Sequence, residues 1–121
     1  MKVKTKAWPD VVEFYRELND LPAFKFEPML SLVRFLASSK YAGGLFPCTS
    51  MHDLVLARVP DFAWGYEDLR IQFDGEAQEF KFTYRQRPDD VEPWTRTCHA
   101  NEWPRVLERI LQKRLQWFHE G

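Results

Sequence analysis

The chain has 121 residues, 45% of them hydrophobic and 16% aromatic, with 17 basic against 18 acidic side chains and a formal net charge of −1. That length accommodates one domain built around one core, residues 1–121. The near-zero total charge excludes a global field that would draw the chain to nucleic acid or an anionic membrane, and no apolar run reaches the ~20 residues needed to cross a bilayer.

The first ten residues, MKVKTKAWPD, are basic but lead into Trp-Pro-Asp instead of an apolar stretch, which predicts no secretory leader. Two cysteines without an export signal read as reduced thiols, and the expected compartment is the cytoplasm. Pro9 and Asp10 then open an amphipathic helix that places Val11, Phe14, Tyr15 and Leu18 on one side and reaches Asn19. A second helix starts at Glu27-Pro28. Its apolar residues cover most of the circumference, so it should be the more buried of the two, with Gly43 and Gly44 supplying a left-handed cap.

The period then changes from helical to alternating. DLVLARV (53–59), LRIQF (69–73) and EFKFTYR (79–85) read as strands. Leu69, Ile71 and Phe73 alternate with polar residues, as do Phe80, Phe82 and Tyr84, the pattern of an antiparallel sheet buried on one face. Asp74-Gly75 marks a hairpin between the last two. WTRTCH (94–99) is a fourth strand, and Asn101 caps a long C-terminal helix with Pro104 in its first turn. The expected fold is α+β: an antiparallel sheet of about four strands, two N-terminal helices and one long C-terminal helix.

Two stretches hold candidate chemistry. FPCTSMHDL (46–54) crowds Cys48, Thr49, Ser50, His52 and Asp53 into nine positions. A catalytic reading needs a nucleophile, a base and an orienting group brought within hydrogen-bond reach, and Asp53 follows His52 too directly to orient it. No GxSxG elbow or Gly-rich phosphate loop accompanies the set, and no cofactor is expected. Adding Cys98 and His99 gives two thiols and two imidazoles, but adjacent strand residues point to opposite faces and the spacing does not suit zinc. A Cys48–Cys98 disulfide is disfavoured by the compartment. The structural reading is a turn capped by Thr49 or Ser50 with Asp53 completing a capping box, before a strand beginning at Leu54.

PDFAWGYEDL (60–69) is the stronger candidate. Phe62, Trp64 and Tyr66 alternate between Asp61 and the pair Glu67-Asp68, a pattern suited to aromatic anchors ringed by charges. Residues 61–92 carry nine acids against four bases, whereas 93–121 carry five bases against three acids, so the molecule should be electrically two-sided. Phe80, Phe82 and Tyr84 with Lys81, Arg85 and Arg87 could stack and neutralise a single strand of nucleic acid, but alternation in an amphipathic strand explains the same residues and a basic footprint is missing.

The function these observations favour is a small, non-catalytic cytoplasmic binding protein. Its partner-binding residues would be Asp61, Phe62, Trp64, Tyr66, Glu67 and Asp68, facing a basic protein. Bacterial toxin-neutralising (immunity) proteins share this size and an acidic lobe, an analogy of class only. The alternatives are a small-molecule pocket or enzyme near Cys48, His52 and His99, and a homodimeric structural subunit burying Trp64 or Trp117 against its own copy.

Overall fold

The computed structural model describes residues 2–21, 25–63, 67–86 and 92–118, with the backbone alone at 2, 3, 62 and 63. It opens with a short strand β1 (Lys2–Lys4), followed by helices α1 (Trp8–Asn19) and α2 (Glu27–Ser38). α1 buries Val11, Tyr15 and Leu18, one residue per turn, while α2 buries Met29, Leu30, Leu32, Val33 and Leu36. Asn19 ties the two helices together: its amide nitrogen donates to Glu27 Oε2 (2.9 Å) and its carbonyl accepts from the Phe26 amide (3.2 Å).

α2 stops well before the glycines. Ser39 leaves it in an extended conformation, its hydroxyl donating to the Leu36 carbonyl and accepting the Tyr41 amide. Ala42–Gly44 form a single 3₁₀ turn, and neither glycine has the positive φ of a left-handed cap. What Gly44 supplies is room, since a Cβ there would lie 2.9 Å from the Phe118 ring.

Five antiparallel strands follow: β2 (Phe46–Ser50), β3 (Asp53–Ala57), β5 (Asp68–Asp74), β6 (Glu79–Arg85) and β7 (Trp94–His99), arranged in the order β2-β3-β5-β6-β7. Strand β4 (Asp61–Ala63) leaves this sheet and pairs instead with β1 as a two-stranded ribbon. The expected α+β architecture holds, with one strand more in the main sheet. The addition is β2, which occupies the stretch expected to be a capped turn. Pro47 conceals it in the sequence, yet an edge strand admits proline when its missing N–H faces outward. That is the arrangement here, because the Pro47 carbonyl points away from β3 and accepts the Lys6 amide at 2.8 Å.

The alternation sets the faces as expected. Leu69, Ile71 and Phe73 join Phe80 and Phe82 on the helix-covered face, all buried in a core that also takes in both N-terminal helices and the C-terminal one. On the opposite face Cys48, Val55 and Ala57 form a second, smaller cluster. The β5–β6 hairpin turns through four residues. Asp74 Oδ1 accepts from the amides of Glu76 and Ala77, and Gln78, not Gly75, takes the positive φ.

The C-terminal helix α3 (Trp103–Arg109) lacks the expected Asn101 cap, because Asn101 turns its side chain to His99. It continues as one π-helical turn, Ile110–Arg114, closed by the Leu115 amide on the Ile110 carbonyl at 2.8 Å. Trp117 and Phe118 then donate their amides to the Leu111 carbonyl, and the chain folds back on the core. Among the described residues no helix is long and apolar enough to cross a membrane.

Candidate binding groove

β7 is an edge strand, and its pairing with β6 decides which of its side chains meet α3. Phe80 faces Cys98, Phe82 faces Arg96 and Tyr84 faces Trp94, so Trp94, Arg96 and Cys98 share the helix-covered face while Thr95, Thr97 and His99 take the other. Cys98 is buried under α3, but nearer the start of β7 the helix does not close over the strand. A groove of about 520 Å³ remains between them.

Its charge is one-sided. Arg96 enters from β7, Arg105 and Arg109 from α3, and Lys113 and Arg114 from the π-helical turn; all five are exposed, and among the described residues no acid lines the groove. Arg105 and Arg109 are four residues apart and so stand one above the other on the same helix face. Val106 and Ile110, both buried, form the apolar floor behind them. Trp94 closes one side with the Arg114 guanidinium 5.0 Å above its ring. Of the neighbouring acids, Glu102 holds Arg105 at 3.3 Å in an exposed pair. Exposed pairs of this kind contribute little and exchange readily for a better partner.

The five bases are all those present in 93–121, so the excess visible in the sequence is gathered into one groove. Their spacing at 105, 109 and 113 is a helical stripe, which the sequence alone assigns to a solvated face. Only the register that turns Arg96 toward α3 makes a site of it.

The residues singled out in the sequence fare differently. Asp61 and Glu67 are exposed, but Asp68 is only 6% exposed and lies on β5 opposite Ala57, beside the smaller cluster of Cys48, Val55 and Ala57, so it is no part of an acidic face. The side chains of Phe62, Trp64 and Tyr66 lie outside the described residues. The stacking reading of β6 fails, because Phe80 and Phe82 are wholly buried. Trp117 is likewise buried, edge-on to Tyr84, and offers no dimer surface.

Cys48 and Cys98 are both free, on the two opposite edge strands of the sheet. Four strand spacings separate them, about 19 Å, so neither a disulfide nor a shared metal site forms. Among the described residues no group of three or more His, Cys, Asp or Glu is placed to hold a metal ion. His52 sits in the exposed two-residue turn between β2 and β3, and His99 ends β7, so the pocket expected near Cys48, His52 and His99 is not assembled. Both thiols are poor nucleophiles. Burial, with the charge of Asp68 and against the opposing influence of Lys6 and Arg70, pushes Cys48 up to about 11, and burial with Glu102 raises Cys98. Comparison with models of known families, with curated proteins and with solved structures found no match.

Proposed function

We propose that this chain is a non-catalytic binding domain whose working surface is the groove between α3 and β7, and that its partner is polyanionic. The observation that carries this reading is the convergence of five exposed cations from three elements on one groove, with no acid among its described lining residues. Guanidinium groups bind carboxylate or phosphate through two parallel hydrogen bonds, and four of the five cations are arginines. Both thiols are buried, lie on opposite edge strands and have raised pKa values, which supports binding over thiol catalysis.

The test is fluorescence anisotropy with labelled anionic probes, a glutamate-rich peptide and an oligothymidylate, titrated with the wild type and with Arg96→Glu/Arg109→Glu. The reading expects binding at low ionic strength that weakens as salt is added and disappears in the double reversal. Circular dichroism of the variant should be unchanged, because both residues are exposed. Failure of the wild type to bind either probe at low salt overturns the proposal.

A second reading, a basic partner on the acidic stretch 61–68 as in toxin-neutralising immunity proteins, rests on exposed Asp61 and Glu67. It expects the opposite selectivity, with a lysine-rich peptide bound and lost in Asp61→Lys/Glu67→Lys.

A further inference from the structure

The groove runs alongside the open edge of β7, and the two features read together specify how a partner would lie. In an antiparallel pair the N–H and C=O of one residue point to the same side, and successive residues alternate. The Ala100 amide donates to the Gln78 carbonyl at 2.9 Å, which fixes the even-numbered residues of β7 as those bonded to β6. The odd-numbered residues therefore point outward. His99 confirms this: its amide donates to Glu102 Oε1, beyond the edge, and its carbonyl accepts the Glu102 amide at 3.0 Å. Thr95 and Thr97 present the same outward N–H and C=O groups, and no described residue bonds to them.

Natural sheets blunt such edges with proline, lysine, a bulge or a covering element. Over Trp94–Thr97 the strand is regular and β-branched at alternate positions, and α3 stands off from it across the groove. We propose that β7 receives an extended acidic peptide segment as a sixth strand of the sheet. This rests on the reading of the groove as a polyanion site. The segment's backbone would pair with Thr95 and Thr97. Residues of the added strand opposite Trp94 and Arg96 would turn their side chains to the helix-covered face, where Arg96, Arg105, Arg109 and Lys113 meet them. Main-chain bonds would supply register, and carboxylates at alternate positions would supply selectivity. A nucleic-acid strand would use the cations but leave the outward donors and acceptors of Thr95 and Thr97 unmatched, so the open edge favours a peptide.

The experiment uses the whole chain and a labelled peptide alternating glutamate and threonine, with a series of copies each N-methylated at one backbone amide. N-methylation removes one donor and leaves every charge in place. Strand addition expects a two-residue period, with affinity falling by at least about tenfold at every second position and nearly unchanged between. It further expects slowed amide exchange at Thr95 and Thr97 on binding, and weakened binding to Thr97→Pro, whose missing N–H is an outward one. The methylated series keeps the test decisive if that variant does not fold. A peptide bound in a charge-dependent way with every methylation tolerated overturns strand addition while leaving the groove as a polyanion site. Tighter binding of an oligothymidylate of matching length overturns it in favour of nucleic acid. Loss of all binding by the wild type would remove the groove reading itself, and this inference with it.

Discussion

Arg114 lies over Trp94, its guanidinium carbon 5.0 Å from the ring centroid, and so links the last turn of the C-terminal helix to the first residue of the edge strand. The stack costs a flexible side chain its freedom before any ligand arrives, which holds the charge at the groove in advance. Arg114→Ala should therefore lower stability by no more than about 1 kcal/mol in urea unfolding. Its larger effect should be on anionic-peptide affinity. Trp94→Ala should weaken the peptide to a similar degree by releasing Arg114, and the double variant should lose little more than either single one. Additive losses would mean that the ring acts on the ligand directly and not through the arginine.

Alkaline stability should report the buried thiol. Cys48 ionises at about 11 in the folded chain against an ordinary value of 9.0. Below pH 9 both states hold the proton and the contribution of the thiol is fully present. Between pH 9 and about 11 the unfolded chain ionises while the native thiol resists, so stability declines across that window. Tyr15, raised mainly by burial, with Asp53 and Cys48 adding to it, and Cys98 act with the same sign at high pH. Cys48→Ala should remove part of the slope seen in urea midpoints from neutral to alkaline pH, and not all of it. In the native protein near pH 8, reaction of Cys48 with a disulfide reagent should be slow and should accelerate in denaturant.

The acids of 61–68 separate into two kinds, and charge reversal should show it. Asp61→Lys and Glu67→Lys act at exposed positions and should each change stability by no more than about 0.5 kcal/mol. Asp68→Lys places an ammonium on β5 at a position only 6% exposed, next to the cluster of Cys48, Val55 and Ala57. It should cost several kcal/mol, enough to leave a chain of this size largely unfolded. Thermal melts of the three variants would make the comparison.

These differences follow from what a sequence carries locally. The inward set Leu69, Ile71, Phe73, Phe80 and Phe82 was legible because alternation is a property of neighbours, and the structure places all five in the core. β2 was not, since Pro47 argues against a strand unless its edge position is known. β1 and β4 span three residues each and exist through pairing with one another across some sixty positions of sequence, beyond any local signal. The π-helical turn is equally hidden, because Ile110, Leu111 and Leu115 fit an ordinary helical stripe. The groove lay half in view. Arg105, Arg109 and Lys113 form a visible series, but the contribution of Arg96 depends on the β6–β7 register, which only the folded sheet supplies.

The contact of Gly44 with Phe118 can be tested as a cycle. A Cβ at Gly44 would stand 2.9 and 3.0 Å from two atoms of the Phe118 ring, while the backbone there has an ordinary φ that alanine can adopt. The penalty for Gly44→Ala is thus purely steric, and the ring that must yield is edge-on to Tyr41 at 4.9 Å. Tyr41 in turn is wholly buried and accepts a hydrogen bond from Gln112 at 2.6 Å, so displacement of Phe118 disturbs the seat of the π-helical turn. Gly44→Ala should cost about 1–3 kcal/mol, the usual price of overpacking. In a Phe118→Ala background the clash is gone, and the same change should be neutral or stabilising by up to about 1 kcal/mol through the stiffer unfolded chain. Urea unfolding of the four proteins gives the coupling between the sites, and a value near zero would place the C-terminal ring somewhere other than over Gly44.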